Sequence, residues 1–213
     1  MKIDFVSDVS CPWCAIGLNA LEQALERVAP EITATLHFQP FELNPQMAPE
    51  GQDIVEHITQ KYGISAAQAA ANTEAIRQRG ASVGFEFGVG KRRRIYNTFD
   101  AHRLLHWAGL QGEAAQRALK HALLGAYFTD GLSPADHDVL AAAAVAAGLD
   151  EAGARAVLSS DRYAAEVREA EAFYHQQGIA SVPAIIIDDR HLITGGQPVE
   201  LFERALRQIA RAA

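Results

Sequence analysis

Cysteine is nearly absent from this sequence: its 213 residues include only two, Cys11 and Cys14. Two thiols cannot build the multi-bridge framework that staples small secreted folds, and a chain this long, 49% hydrophobic, can bury a core without one. Positive charge is also in short supply. The net charge of −7 argues against a nucleic-acid or anionic-membrane surface, because both need a positive field to offset phosphate. The one basic run, Lys91 to Arg94, is too short to reverse that balance and reads as a solvated loop or helix start. No apolar run reaches the roughly 18 residues of a membrane span, and no apolar leader follows Met1. The expected compartment is the cytoplasm, where structural disulfides are rare and a close cysteine pair reads as redox-active or metal-binding.

What is present has a clear order. "KIDFVSD" at Lys2–Asp8 reads as a strand, followed by a helix with Ser10 as its expected N-cap and Pro12 in its first turn. Leu18, Leu21, Leu25 and Val28 recur at helical spacing until Pro30, and Thr33–Leu43 reads as a second strand. From about Ile54 to Gln177 the pattern is helical throughout, with Phe99, Leu104 and Trp107 available for one buried face and Gly148 and Gly178 closing two later helices. Strand chemistry returns in "SVPAIIID" and "HLITGG", which read as a β-hairpin. A last amphipathic helix begins near Pro198, with Val199, Phe202, Leu206 and Ile209 on one side.

The cysteines sit in "CPWC". Residues i and i+3 share a helix face, so Cys11 and Cys14 can come within disulfide range. Cys11 lies at the helix start, where free N–H groups and the macrodipole favour a thiolate, the attacking species of disulfide exchange. Cys14, one turn further in, is the expected resolving thiol. Pro12 stiffens the turn, and Trp13 adds an apolar, exposed ring beside the sulfurs. The metal alternative would need further ligands, and only His102 and His106 at i, i+4 offer them; "HRLLH" lacks the Glu of a zinc-protease motif. No metal site is expected.

With "GIASVPAIIID" near the C-terminus, the sequence resembles the thioredoxin-fold oxidoreductases of the DsbA family, and in particular their FrnE-like branch. "CPWC" matches that branch's usual redox motif, and "FQPFELNP", "YNTFDAHRLLHWA" and "LLGAYFTDG" extend the likeness over essentially the whole chain. The resemblance implies an α/β fold: a thioredoxin-like domain formed by residues 1–50 and 178–213, split between its β-α-β and β-β-α halves by an all-helical insertion at 51–177. It further implies a cis Val182-Pro183 bond packed against the redox cysteines. Such a bond would leave the Val182 backbone beside the thiols, where an extended substrate could add by main-chain hydrogen bonds. Pro12, Trp13, Val182 and Pro183 are thus the expected substrate-binding residues and Cys11 and Cys14 the catalytic ones. One departure stands out. The buried acid that such enzymes often carry six residues before the first cysteine is here Phe5, with Asp4 one position further away, so the proton acceptor for Cys14 is undetermined.

The implied activity is dithiol–disulfide exchange on protein or small-molecule disulfides and thiols, with no cofactor beyond the Cys11–Cys14 pair and glutathione as a candidate co-substrate. An alternative comes from the related kappa-class glutathione transferases and 2-hydroxychromene-2-carboxylate isomerases. Those commonly place Ser at the first position and lack the second thiol, so both cysteines argue against it, as does "TGGQP" near Gly195 where those enzymes tend to carry an acidic turn. A third reading is a non-catalytic binder whose helical block forms a peptide groove.

Overall fold

A computed structural model of the chain describes residues 1–48 and 50–212. Strand β1 (Lys2–Ser7) leads through a short loop to helix α1 (Pro12–Val28) and strand β2 (Thr35–Pro40). The next stretch holds the two-residue strand β3 (Gln52–Asp53), helices α2 (Ile54–Tyr62) and α3 (Ala66–Ala81), and the two-residue strand β4 (Arg94–Ile95). Helices α4 (Phe99–Gln111), α5 (Glu113–Phe128), α6 (His137–Ala146), α7 (Glu151–Leu158) and α8 (Ala164–Gln176) follow. Strands β5 (Ala184–Ile187) and β6 (His191–Thr194) and helix α9 (Val199–Ala212) close the chain.

The central sheet has the order β2-β1-β5-β6, with β1 and β2 parallel and the other neighbours antiparallel. This is the split β-α-β and β-β-α arrangement that the sequence predicts. The small β3–β4 pair within the helical stretch is an addition to that expectation. The second strand is also shorter at both ends than the Thr33–Leu43 run, because beyond Pro40 the chain leaves β1 to reach the loop before α1.

Two hydrophobic clusters carry most of the packing. The larger joins Ile3 and Phe5 of β1, Ile185 and Ile187 of β5, most of the buried face of α1, and Phe202, Leu206 and Ile209 of α9, but also Val83, Leu124, Tyr127 and Phe128 from the helical stretch. The second consists of α4 to α7, with Leu104, Trp107, Leu119, Leu123 and Val157, and includes Val9 from the loop before α1. Each Leu, Ile or Phe buried in full contributes roughly 1.5–3 kcal/mol relative to exposure. Helix α1 is buried more widely than its Leu18-Leu21-Leu25-Val28 stripe implies. α3 and α5 cover the flank that would otherwise be wet, and Glu22 on that flank accepts from Arg117 Nε (2.6 Å) and pairs with His121 Nε2 (2.9 Å) on α5. On α9, Val199, Phe202, Leu206 and Ile209 are the buried face, as their spacing predicts.

Candidate active site

The loop from Ser7 to Ser10 sets the start of α1. Asp8 is fully buried; its carboxylate accepts from Ser10 N–H (3.1 Å) and from Leu43 N–H (2.7 Å), and its backbone carbonyl accepts from Cys11 N–H (3.2 Å). These bonds bring the chain into the helix with Cys11, not Ser10, as N-cap, and the Ser10 hydroxyl has no partner among the described residues. The expected Ser10 cap fails because the Asp8 carboxylate already fixes the turn through the Ser10 amide. Pro12 occupies the first helical position, where a missing N–H costs nothing.

Cys11 and Cys14 are both free thiols. Cys11 is 4% exposed and Cys14 is wholly buried, so only the first can meet a partner in solution. The Cys11 thiol donates to Val182 O at 3.6 Å, and the Val182-Pro183 bond is cis. Val182 O is therefore engaged by the thiol and not free beside it. Trp13 projects from the helix start at 42% exposure. Gly196 lies beneath it, so close that a Cβ there would meet Trp13 O at 2.9 Å; one at Gly17 would meet Pro183 Cγ at 3.1 Å. Cys11 and Val182 are thus in direct contact, Trp13 is the exposed group at the same helix start, and Pro183 and Cys14 are buried.

The two sulfurs are driven apart electrostatically. The Cys14 thiol, hydrogen-bonded to the Cys11 sulfur, and the amides of Cys14 and Trp13 hold Cys11 below the ordinary thiol range, against its burial and the nearby Asp8 carboxylate. Burial first, and then the adjoining Cys11 thiolate, push Cys14 well above that range.

Several neighbours escaped the sequence reading. Asp8 would be raised by burial, but His102, whose Nε2 lies 3.6 Å from its carboxylate, and the two amides hold it below the usual carboxylate range. Lys120 of α5 is entirely buried, and the charges it faces are Cys14, Asp8 and Cys11. A sequence signal existed for it: Lys120 shares a helix face with Gln116, Leu123, Leu124 and Tyr127, all buried. Asp4, by contrast, is taken up by Gln39 Nε2 (2.7 Å) and Lys2 Nζ (2.8 Å).

The basic run at Lys91–Arg94 is not simply solvated. Arg92 lies over the rings of Phe128 (5.0 Å) and Tyr127 (5.5 Å), and Arg94 donates to Glu50 O (2.9 Å) from β4. The segment is held in place because β4 pairs with β3 and Tyr127 Oη donates to Arg94 O. His102 faces Asp8 while His106 stacks on Tyr163 at 5.2 Å, so the two histidines do not converge with the cysteines. Among the described residues no helix is long and apolar enough to cross a membrane.

The model of the DSBA-like thioredoxin domain matches residues 2–207. The probable DsbA oxidoreductase SCO1869 of Streptomyces coelicolor is 35% identical and superposes with a TM-score of 0.90, covering 98% of this chain and 89% of its own. The protein YwbO of Bacillus subtilis strain 168 is 25% identical across 97% of this chain and 96% of its own. A 2-hydroxychromene-2-carboxylate isomerase shares the fold at 16% identity, with a TM-score of 0.71 over 100% of this chain and 97% of its own.

Proposed function

We propose that this chain, which belongs to the DSBA-like thioredoxin domain family, is a dithiol–disulfide oxidoreductase in which Cys11 attacks and Cys14 resolves. The observation that carries this reading is the asymmetry of the pair. One thiol is acidified and keeps a sliver of exposure at the N-terminus of α1; the other is wholly buried and kept protonated until needed. Cys11 opens a substrate disulfide, forming a mixed disulfide and releasing one substrate thiol. Cys14 then attacks the Cys11 sulfur, forming the Cys11–Cys14 disulfide and releasing the second, so the pair is oxidised as the substrate is reduced. Run backwards, the same steps oxidise a substrate dithiol. The substrate's peptide or thiol-bearing portion lies across Pro12, Trp13, Val182 and Pro183, with glutathione a small-molecule partner of the same chemistry. The proposed compartment is the cytoplasm, and the proposed division is a thioredoxin-like domain at 1–50 and 178–213, which holds both cysteines, with an inserted helical domain at 51–177.

The glutathione-dependent isomerase or transferase chemistry known on this fold needs one activating group and gives Cys14 nothing to do. Trapping separates the two. Cys14→Ser should accumulate covalent adducts with client thiols or glutathione, visible on non-reducing gels and lost on adding dithiothreitol, and Cys11→Ser should accumulate few. Equal trapping by both variants would contradict the assigned roles, and full glutathione-conjugating activity in Cys14→Ser would favour the transferase reading.

A further inference from the structure

When Cys14 attacks the mixed disulfide it must lose a proton, yet it is wholly buried and, among the described residues, no carboxylate is free to take it. Asp4 is occupied by Lys2 and Gln39. The Asp8 carboxylate is committed to the amides of Ser10 and Leu43 and faces His102. Lys120 remains. Its Nζ is fully buried and finds no hydrogen-bond partner among the described residues, and the ring of Phe38 lies 5.9 Å away. A lone buried amine with nothing to bond is costly, and fold stability alone would be served better by an apolar side chain.

The surroundings give it a use. A cavity of about 230 Å³ between β2, α4 and α5 is lined by Lys120 together with His37, His102, His106 and Gln116, and His102 in turn stands 3.6 Å from the carboxylate of Asp8, whose backbone carbonyl accepts from Cys11 N–H, so the cleft leads from the lysine toward the start of α1. The titratable groups around it are Cys11, Cys14 and Asp8 from the start of α1, His102 and His106 from α4, and His37 from β2.

We infer that Lys120 is the proton store of the resolving thiol, a positioning residue that acts through Cys14, and that the cleft beside it returns the proton to water. This rests on the dithiol reading above. In the resolving step the Cys14 proton passes to the Lys120 amine through one water drawn from the cleft, since Nζ makes no direct hydrogen bond to the sulfur, as the Cys14 sulfur bonds to the Cys11 sulfur. The bond between Cys11 and the substrate sulfur breaks, its electron pair leaves on the substrate sulfur, and that thiolate takes a proton from solvent. Burial favours the neutral amine before the step, and the new charge on Lys120 pairs with the thiolate as it forms. The reverse reaction returns the proton to Cys14.

Reaction with dithiobis(nitrobenzoate) reads the two steps separately, because Cys11 releases the first thionitrobenzoate and Cys14 the second. In Lys120→Met the second phase should slow by about tenfold or more and follow the titration of an unassisted thiol, while the first phase keeps its rate within a few-fold. The thermal midpoint should hold or rise. In Lys120→Ala, added ethylamine should restore the second phase. In the unaltered protein that phase should level off once the Lys120 amine is fully unprotonated, which burial moves below the ordinary lysine range. A second phase unchanged in Lys120→Met, both phases slowed alike, no rescue by amine, or a rate rising tenfold per pH unit throughout in the unaltered protein each overturns the inference. The last measurement needs no variant to fold. Release of a single equivalent by the unaltered protein would remove the dithiol reading itself, and this inference with it.

Discussion

Cys11 and Cys14 carry the same side chain three residues apart, and their surroundings give them opposite chemistry. Helix-start amides and the neighbouring thiol stabilise negative charge on Cys11, whereas Cys14 is buried and would ionise beside an existing thiolate. Alkylation of the reduced protein with limiting iodoacetamide at mildly acidic pH should therefore label Cys11 first, as peptide mass mapping will show; preferential label on Cys14 would reverse the roles. Position within the helix is readable from "CPWC" alone, and so is this ordering. The side chains that tune it are less so. Asp8 looks like an ordinary loop acid in the sequence, because the groups that bury and bind it, Leu43 and His102, arrive from 35 and 94 residues downstream. Lys120 was visible as a lysine on an apolar helix face, but its neighbourhood with Cys14 depends on how α5 docks against α1.

At the scale of elements, the site depends on how closely α1 approaches the turn before β5 and the loop after β6. Gly17 makes that approach possible: a Cβ there would sit 3.1 Å from Pro183 Cγ and 3.3 Å from Gly196 Cα. Gly17→Ala trades a helix-propensity gain of up to about 1 kcal/mol against a contact that must yield by a few tenths of an ångström, so little net change in stability is expected. Gly17→Val adds branched bulk that cannot be accommodated so cheaply. It should cost about 1–3 kcal/mol of stability and reduce turnover by separating Cys11 from Val182 O, measured by denaturant unfolding beside a disulfide-reduction assay. Unimpaired turnover in Gly17→Val would mean that the close approach does not hold the site together. The elements themselves were legible: β1, α1, the late hairpin and α9 announce their periods clearly. The β3–β4 pair was not, since two-residue strands in a helical stretch leave no periodic trace, and the full burial of α1 was not, since it is imposed by helices that pack from outside its own pattern.

At the scale of the whole molecule, redox state and stability are linked through the same thiols. In the unfolded chain both cysteines titrate near about 8.5. The folded Cys11 ionises below that value, so its contribution to the dithiol form is fully present above about pH 8.5 and is lost as pH falls through its folded pKa. The folded Cys14 ionises above it, so the dithiol form loses stability once pH rises past the point where an unfolded Cys14 would ionise. The disulfide form has neither thiol, and titration of Asp8, Glu22 and the other shared groups affects both forms alike to first order. Subtracting one stability curve from the other therefore isolates the cysteines. The thermal midpoint of the dithiol form, relative to the disulfide form, should rise from acidic pH to about 8.5 and decline beyond it, each tenfold gain in Cys11 acidity adding about 1.4 kcal/mol. Paired melting curves of the two forms across that range test this. A difference that is flat, or that falls between acidic pH and neutrality, would mean that folding does not stabilise the Cys11 thiolate, and the attacking role would then have to rest on its exposure alone.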